Sequence, residues 1–132
     1  MARFLARVLT GAAYMSLGLD AAREPGVRVD QAAPTLDALR KFSPLPSNVA
    51  TVRINGAAQA VAGGLLALGV LPRISALVLL TSMVPTTIAG HGFWKIKDPL
   101  ARKLQWIQLR KNVIMAGALV YELVPDGTAE PA

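Results

Sequence analysis

Four apolar runs alternate with polar, proline-punctuated segments along the 132 residues, and roughly 20 apolar residues suffice to cross the hydrocarbon of a bilayer as a helix. The first run, Phe4 to Ala22, is broken only by Arg7 near its start and Asp20 near its end, so it spans with snorkelling ends. Ala21-Ala22 followed by Arg-Glu-Pro is a poor cleavage site, which disfavours a signal peptide. The second run is Val52 to Val70. Leu71-Pro72-Arg73 is a tight turn into the third, Ile74 to Ala89, and makes a helical hairpin. Pro85 frees the Thr81 carbonyl and predicts a kink, with Thr86 and Thr87 placed to satisfy freed backbone groups. Asp98-Pro99 pairs an N-cap with a proline at the first helical position. From there a basic, amphipathic stretch runs into Val113 to Val124 and stops at Pro125-Asp126-Gly127. Helices are expected near residues 4–22, 52–70, 73–91 and 103–124, with a disordered tail over 125–132. Within loop 23–51, Thr35-Leu-Asp-Ala-Leu-Arg-Lys-Phe42 has apolar side chains at 36, 39 and 42, the spacing of a short amphipathic helix. The pattern predicts an all-α membrane protein in one domain, residues 1–132: an antiparallel four-transmembrane-helix bundle with a short amphipathic helix in the first loop.

Gly56, Ala60 and Gly64 recur every four residues and predict a smooth helix face where another backbone approaches closely. Composition agrees with lipid solvation: 53% of residues are hydrophobic and the mean hydropathy is +0.43. A net charge of +6 would raise nucleic acid as a partner of a soluble domain. Here the basic residues flank apolar runs and no nucleic-acid motif is present, so anionic lipid headgroups are the expected partner. Arg23, Arg28, Arg40, Lys41, Lys95, Lys97, Arg102, Lys103, Arg110 and Lys111 fall on one side of the bundle, against Arg3, Arg7 and Arg73 on the other. The positive-inside rule then places both long loops in the cytoplasm. With no Cys and one histidine, His91, the chain has no thiolate chemistry, iron–sulfur ligands or bis-histidine haem site of its own, and no metal site is expected. Trp94 and Trp106 are expected as interface anchors, and Glu122 as a solvated residue at the opposite face.

The order Arg7-x3-Gly11-x8-Asp20, then Arg53-x2-Gly56-x2-Gln59-x3-Gly63-Gly64-Leu-Leu-x2-Gly69 with Arg73, then Gly90-His91-Gly-Phe-Trp94, then Lys111-Asn112 resembles the DoxX family from about Arg7 to Val124. That family is similar to DoxD, the membrane subunit of thiosulfate:quinone oxidoreductases, and actinobacterial members are linked with redox and oxidative-stress complexes. The resemblance implies a multi-pass protein of the bacterial inner (plasma) membrane, a quinone as ligand, no covalently bound cofactor, redox proteins as partners, and room for a homo-oligomer. Some family members carry an acidic residue where this chain has Gln59, which removes one proton carrier.

Polar groups inside membrane helices need partners, so Asp20, Arg53, Asn55, Gln59, His91, Lys111 and Asn112 require explanation. Two readings stay open. In one, Asp20 pairs with Arg53 or Lys111 and closes the bundle. In the other, a polar pocket lies under the loops, His91 contacts a quinone-like headgroup, Arg53 and Lys111 stabilise negative charge on its oxygen, and Asn55 and Gln59 extend hydrogen bonding inward. Two functions follow: a quinone-interacting subunit of a redox complex, or a non-catalytic membrane anchor that recruits proteins through its basic loops.

Overall fold

The computed structural model describes residues 1–90 and 93–125. His91 and the tail expected beyond Pro125 lie outside the described residues. Five α-helices form: α1 (Ala2–Arg23), α2 (Val27–Arg40), α3 (Asn48–Ala67), α4 (Pro72–Gly90) and α5 (Pro99–Leu123), with a 3-10 turn over Phe93–Lys95 and no strand among the described residues.

Local chemistry sets the boundaries. The Ser47 hydroxyl accepts the Ala50 N–H at 3.2 Å and starts α3 four residues earlier than the apolar run suggested. The end of α3 is a Schellman turn: Val70 N–H donates to the Leu65 carbonyl, Gly69 N–H donates to that of Leu66, and Gly69 has φ +71°. Pro72 opens α4 and Pro99 opens α5, where Asp98 accepts the Ala101 N–H at 2.7 Å. Inside α4 the helix continues through Pro85, and Thr86 Oγ1 donates to the carbonyls of Ser82 and Met83. Thr87 is used differently, accepting from Asn112 on α5. The helix expected at Thr35–Phe42 is instead the whole of α2, with Pro34 in its interior.

The chain packs as α1 against α3, α3 against α4 and α4 against α5, and α5 returns to α1, while α2 lies on α3 and α4. Neighbours run antiparallel. Gly11 meets Gly63 and Ala67, whereas Gly18 meets Gly56 and Ala60. The four glycines therefore lie seven residues apart on each helix, and the two backbones touch with no side chain between them. This corrects the expected stripe. Gly56 and Ala60 belong to it, but its third member is Gly63; a Cβ on Gly64 would meet only the Met15 sulfur, at 3.5 Å. Leu66, Leu79 and Leu119 are fully buried at the centre, beside Tyr14, Ala62, Ala76 and Met83.

Among the described residues no helix is long and apolar enough to cross a membrane. The interruptions are specific: Arg3, Arg7, Asp20 and Arg23 in α1, Arg53, Asn55 and Gln59 in α3, and the basic first half of α5. Even so, large apolar side chains cover the outside. Leu9 is 72% exposed and Ile114 74%, while Gln59, Ser75, Ser82 and Glu122 are buried.

The neighbouring glycines give a paired test of the α1–α3 contact. Gly63→Ala places a Cβ 2.6 Å from Met15 N and 2.7 Å from Gly11 O, which are backbone atoms that cannot step aside. It should lower stability by about 1–3 kcal/mol. Gly64→Ala should leave thermal unfolding of the purified protein unchanged or raise it, by at most about 1 kcal/mol from helix propensity.

Candidate functional site

One end of the molecule holds a cavity of about 610 Å³ beneath α2, bounded by the C-terminal part of α1, the first turns of α3, the last half of α4 and the middle of α5. Its size suits a small-molecule ligand. Helical spacing decides which side chains reach it. On α3, Val52, Asn55 and Gln59 fall at steps of three and four. On α5, Gln105, Gln108, Asn112 and Met115 repeat the same steps, and Arg28, Gln31 and Thr35 do so on α2.

The lining is graded. Tyr14, Gln59 and Met83 form a buried floor, while Arg28, Gln108 and Lys111 form an exposed rim. The Tyr14 hydroxyl donates to the Met83 sulfur at 2.7 Å, Ser82 Oγ donates to Asn55 Oδ1 at 2.8 Å, and Asn112 Nδ2 donates to Thr87 Oγ1 at 3.1 Å. These bonds tie α1, α3 and α5 to α4, and the last two fix the Asn55 and Asn112 amides. Gln59 differs: it is only 9% exposed, it lines the cavity, and its carboxamide has no protein partner among the described residues. The amide atoms open into the cavity, where water or a ligand can meet their hydrogen-bonding capacity. No Asp or Glu is among the lining residues, and the same region shows no cluster that could hold a metal ion among the described residues.

Of the residues proposed from sequence, Asn55, Gln59 and Lys111 line the cavity, and so does Asn112. Asp20 and Arg53 do not. Both are exposed, and Arg53 shares the outer face of α3 with Ala57 and Val61, because a four-residue step carries it past the cavity. No ion pair joins Asp20 to Arg53 or Lys111 among the described residues. His91 lies outside the described residues. Sequence reasoning missed Arg28, Gln31, Gln105 and Gln108, whose signal is the three–four spacing of amides along α2 and α5.

The opposite end carries a second polar feature, where the sequence suggested a solvated Glu122. Its side chain is 2% exposed, and Oε2 accepts a hydrogen bond from Arg7 Nε at 2.8 Å. Burial follows from register, since Glu122 lies one turn beyond Leu119 on the inner face of α5.

The DoxX family profile matches residues 2–92, so the chain belongs to the DoxX family. Membership supports a membrane location and a protein of the redox- and oxidative-stress-linked kind. The match ends before α5, so Lys111-Asn112 lie outside it. No curated protein and no solved structure matches the chain.

Removing one member of the buried pair should expose its worth. Arg7→Met strands the Glu122 carboxylate, whose Oε1 already lacks a partner, and should lower stability by about 3 kcal/mol, whereas Arg7→Met combined with Glu122→Leu should recover most of the loss. Chemical denaturation of the two variants beside the parent checks this; equal losses in both would point to packing instead of charge.

Proposed function

We propose that this DoxX member is a multi-pass membrane bundle of four spanning helices, α1, α3, α4 and α5, whose cavity holds the headgroup of a membrane-soluble quinone for a redox partner protein. The observation that carries the reading is Gln59, an unpartnered amide nine-tenths buried at the floor of an apolar-walled cavity. A quinone carbonyl accepts from that amide, and Asn55, whose oxygen is already held by Ser82, keeps its own N–H groups for the same purpose. Tyr14, Leu17 and Met115 give the ring an apolar wall. The family's membrane association and the largely apolar outer surface support the bundle; the amides Asn55, Gln59 and Asn112 turn inward, and the exposed Asp20 and Arg53 lie near the cavity-end termini of α1 and α3.

In this reading the basic end that bears the cavity faces the cytoplasm of a bacterium, against anionic headgroups. The partner supplies the redox centre, and the chain supplies binding and position. His91, next in sequence after α4, is the residue proposed to exchange a proton with the headgroup.

Decylubiquinone binding to the protein purified in mild detergent tests the proposal. Gln59→Leu should weaken binding about tenfold, the effect of roughly one buried hydrogen bond. Arg53→Gln, outside the cavity, should leave it unchanged. Absence of binding by the parent protein, together with reproducible co-purification of other proteins, would replace this reading with that of a membrane anchor.

A further inference from the structure

The rim of the cavity differs chemically from its floor. Arg28 on α2 and Lys111 on α5 both line the cavity and both are exposed. Arg28 donates to a neutral group, the Glu24 carbonyl at 3.3 Å, and Lys111 has no acidic partner among the described residues. Among the described residues no carboxylate lines the cavity beside these two charges. Two cations converging on one opening, above amides and an apolar wall, suit one kind of occupant: an amphiphile with an oxyanion at one end.

We propose that Arg28 and Lys111 form an oxyanion subsite that binds the carboxylate or phosphate of an acidic amphiphile, whose apolar body enters the cavity beside Leu17, Leu36 and Met115. This rests on reading the cavity as an amphiphile site. It adds a ligand class that meets the rim, where a quinone headgroup meets the floor amides, and because both ligands fill one volume they compete. The unpartnered Gln59 amide serves either occupant, donating to an ester or quinone carbonyl that reaches the floor. Two sources present the required chemistry, a free fatty acid and an anionic phospholipid.

The experiment compares palmitate with methyl palmitate, equal in tail and different in charge, on the full chain purified in detergent. Palmitate should bind about tenfold more tightly and displace decylubiquinone, and Arg28→Gln with Lys111→Gln should abolish the preference. Both residues are exposed, so the double variant should retain its helical circular dichroism. The ester comparison needs no variant at all. In nanodiscs, retention of phosphatidylglycerol over phosphatidylcholine, read by native mass spectrometry, assigns the oxyanion to a lipid phosphate; retention of palmitate alone assigns it to a free acid. Equal binding of palmitate and its ester, with no phosphatidylglycerol preference, overturns the subsite. Decylubiquinone binding that survives in that case leaves the quinone reading standing, whereas loss of all three ligands removes both.

Discussion

Backbone-to-backbone contact between α1 and α3 is the constraint from which the rest of the arrangement follows. Gly11 and Gly18 on one helix and Gly56 and Gly63 on the other let the axes approach until only the glycine surfaces separate them. Packing this close leaves no latitude in rotation, because a small turn of either helix would drive a side chain into the neighbouring backbone. Tyr14 is thereby aimed at Met83, and Asn55 and Gln59 are aimed under α2. The cavity is thus a consequence of where α3 must point once its glycine face is committed to α1.

Polar chemistry is distributed in two separate zones. Along α5, Asn112 borders the cavity and Glu122 pairs with Arg7, ten residues or about 15 Å further on. Leu66, Leu79 and Leu119 fill the layer between, so the two zones are insulated by an apolar plug. Charge at one end is therefore felt weakly at the other, and the ion pair acts on the α1–α5 seam, while the cavity amides tie α3 and α5 to α4.

Much of the helical plan was legible because it is written in strong local signals: Asp98-Pro99 and Leu71-Pro72 start helices in the structure where their chemistry says they should. The expected glycine stripe departs from the seam at its third member, since every-fourth spacing on α3 selects Gly64 whereas the contact with α1 selects Gly63. The choice needs the seven-residue spacing of Gly11 and Gly18 on its partner. The helix expected at Thr35–Phe42 is shorter than α2 because Pro34 reads as a breaker, yet the neighbours α3 and α4 support a helix through it. Within the site, Gln59 and Asn55 announce themselves as amides inside an apolar run. Arg28 and Gln108 do not, since on polar segments they look like any solvated side chain, and only the three-dimensional cover of α2 gives them a common opening.

The position of α2 in the chain bears on how a molecule reaches the interior. Its two ends continue into α1 and α3, and those helices are joined at Gly18 and Gly56, close to both connections. The Arg40 side chain holds the far connection to the Pro46 carbonyl at 2.6 Å, and Asp37 steadies the same guanidinium. Both ends of the cover are thus tethered beside the tightest seam of the fold. On the other flank α5 borders the cavity with the side chains of Gln105, Gln108 and Lys111, of which Gln108 and Lys111 are exposed, so the open side of the cavity lies toward α5.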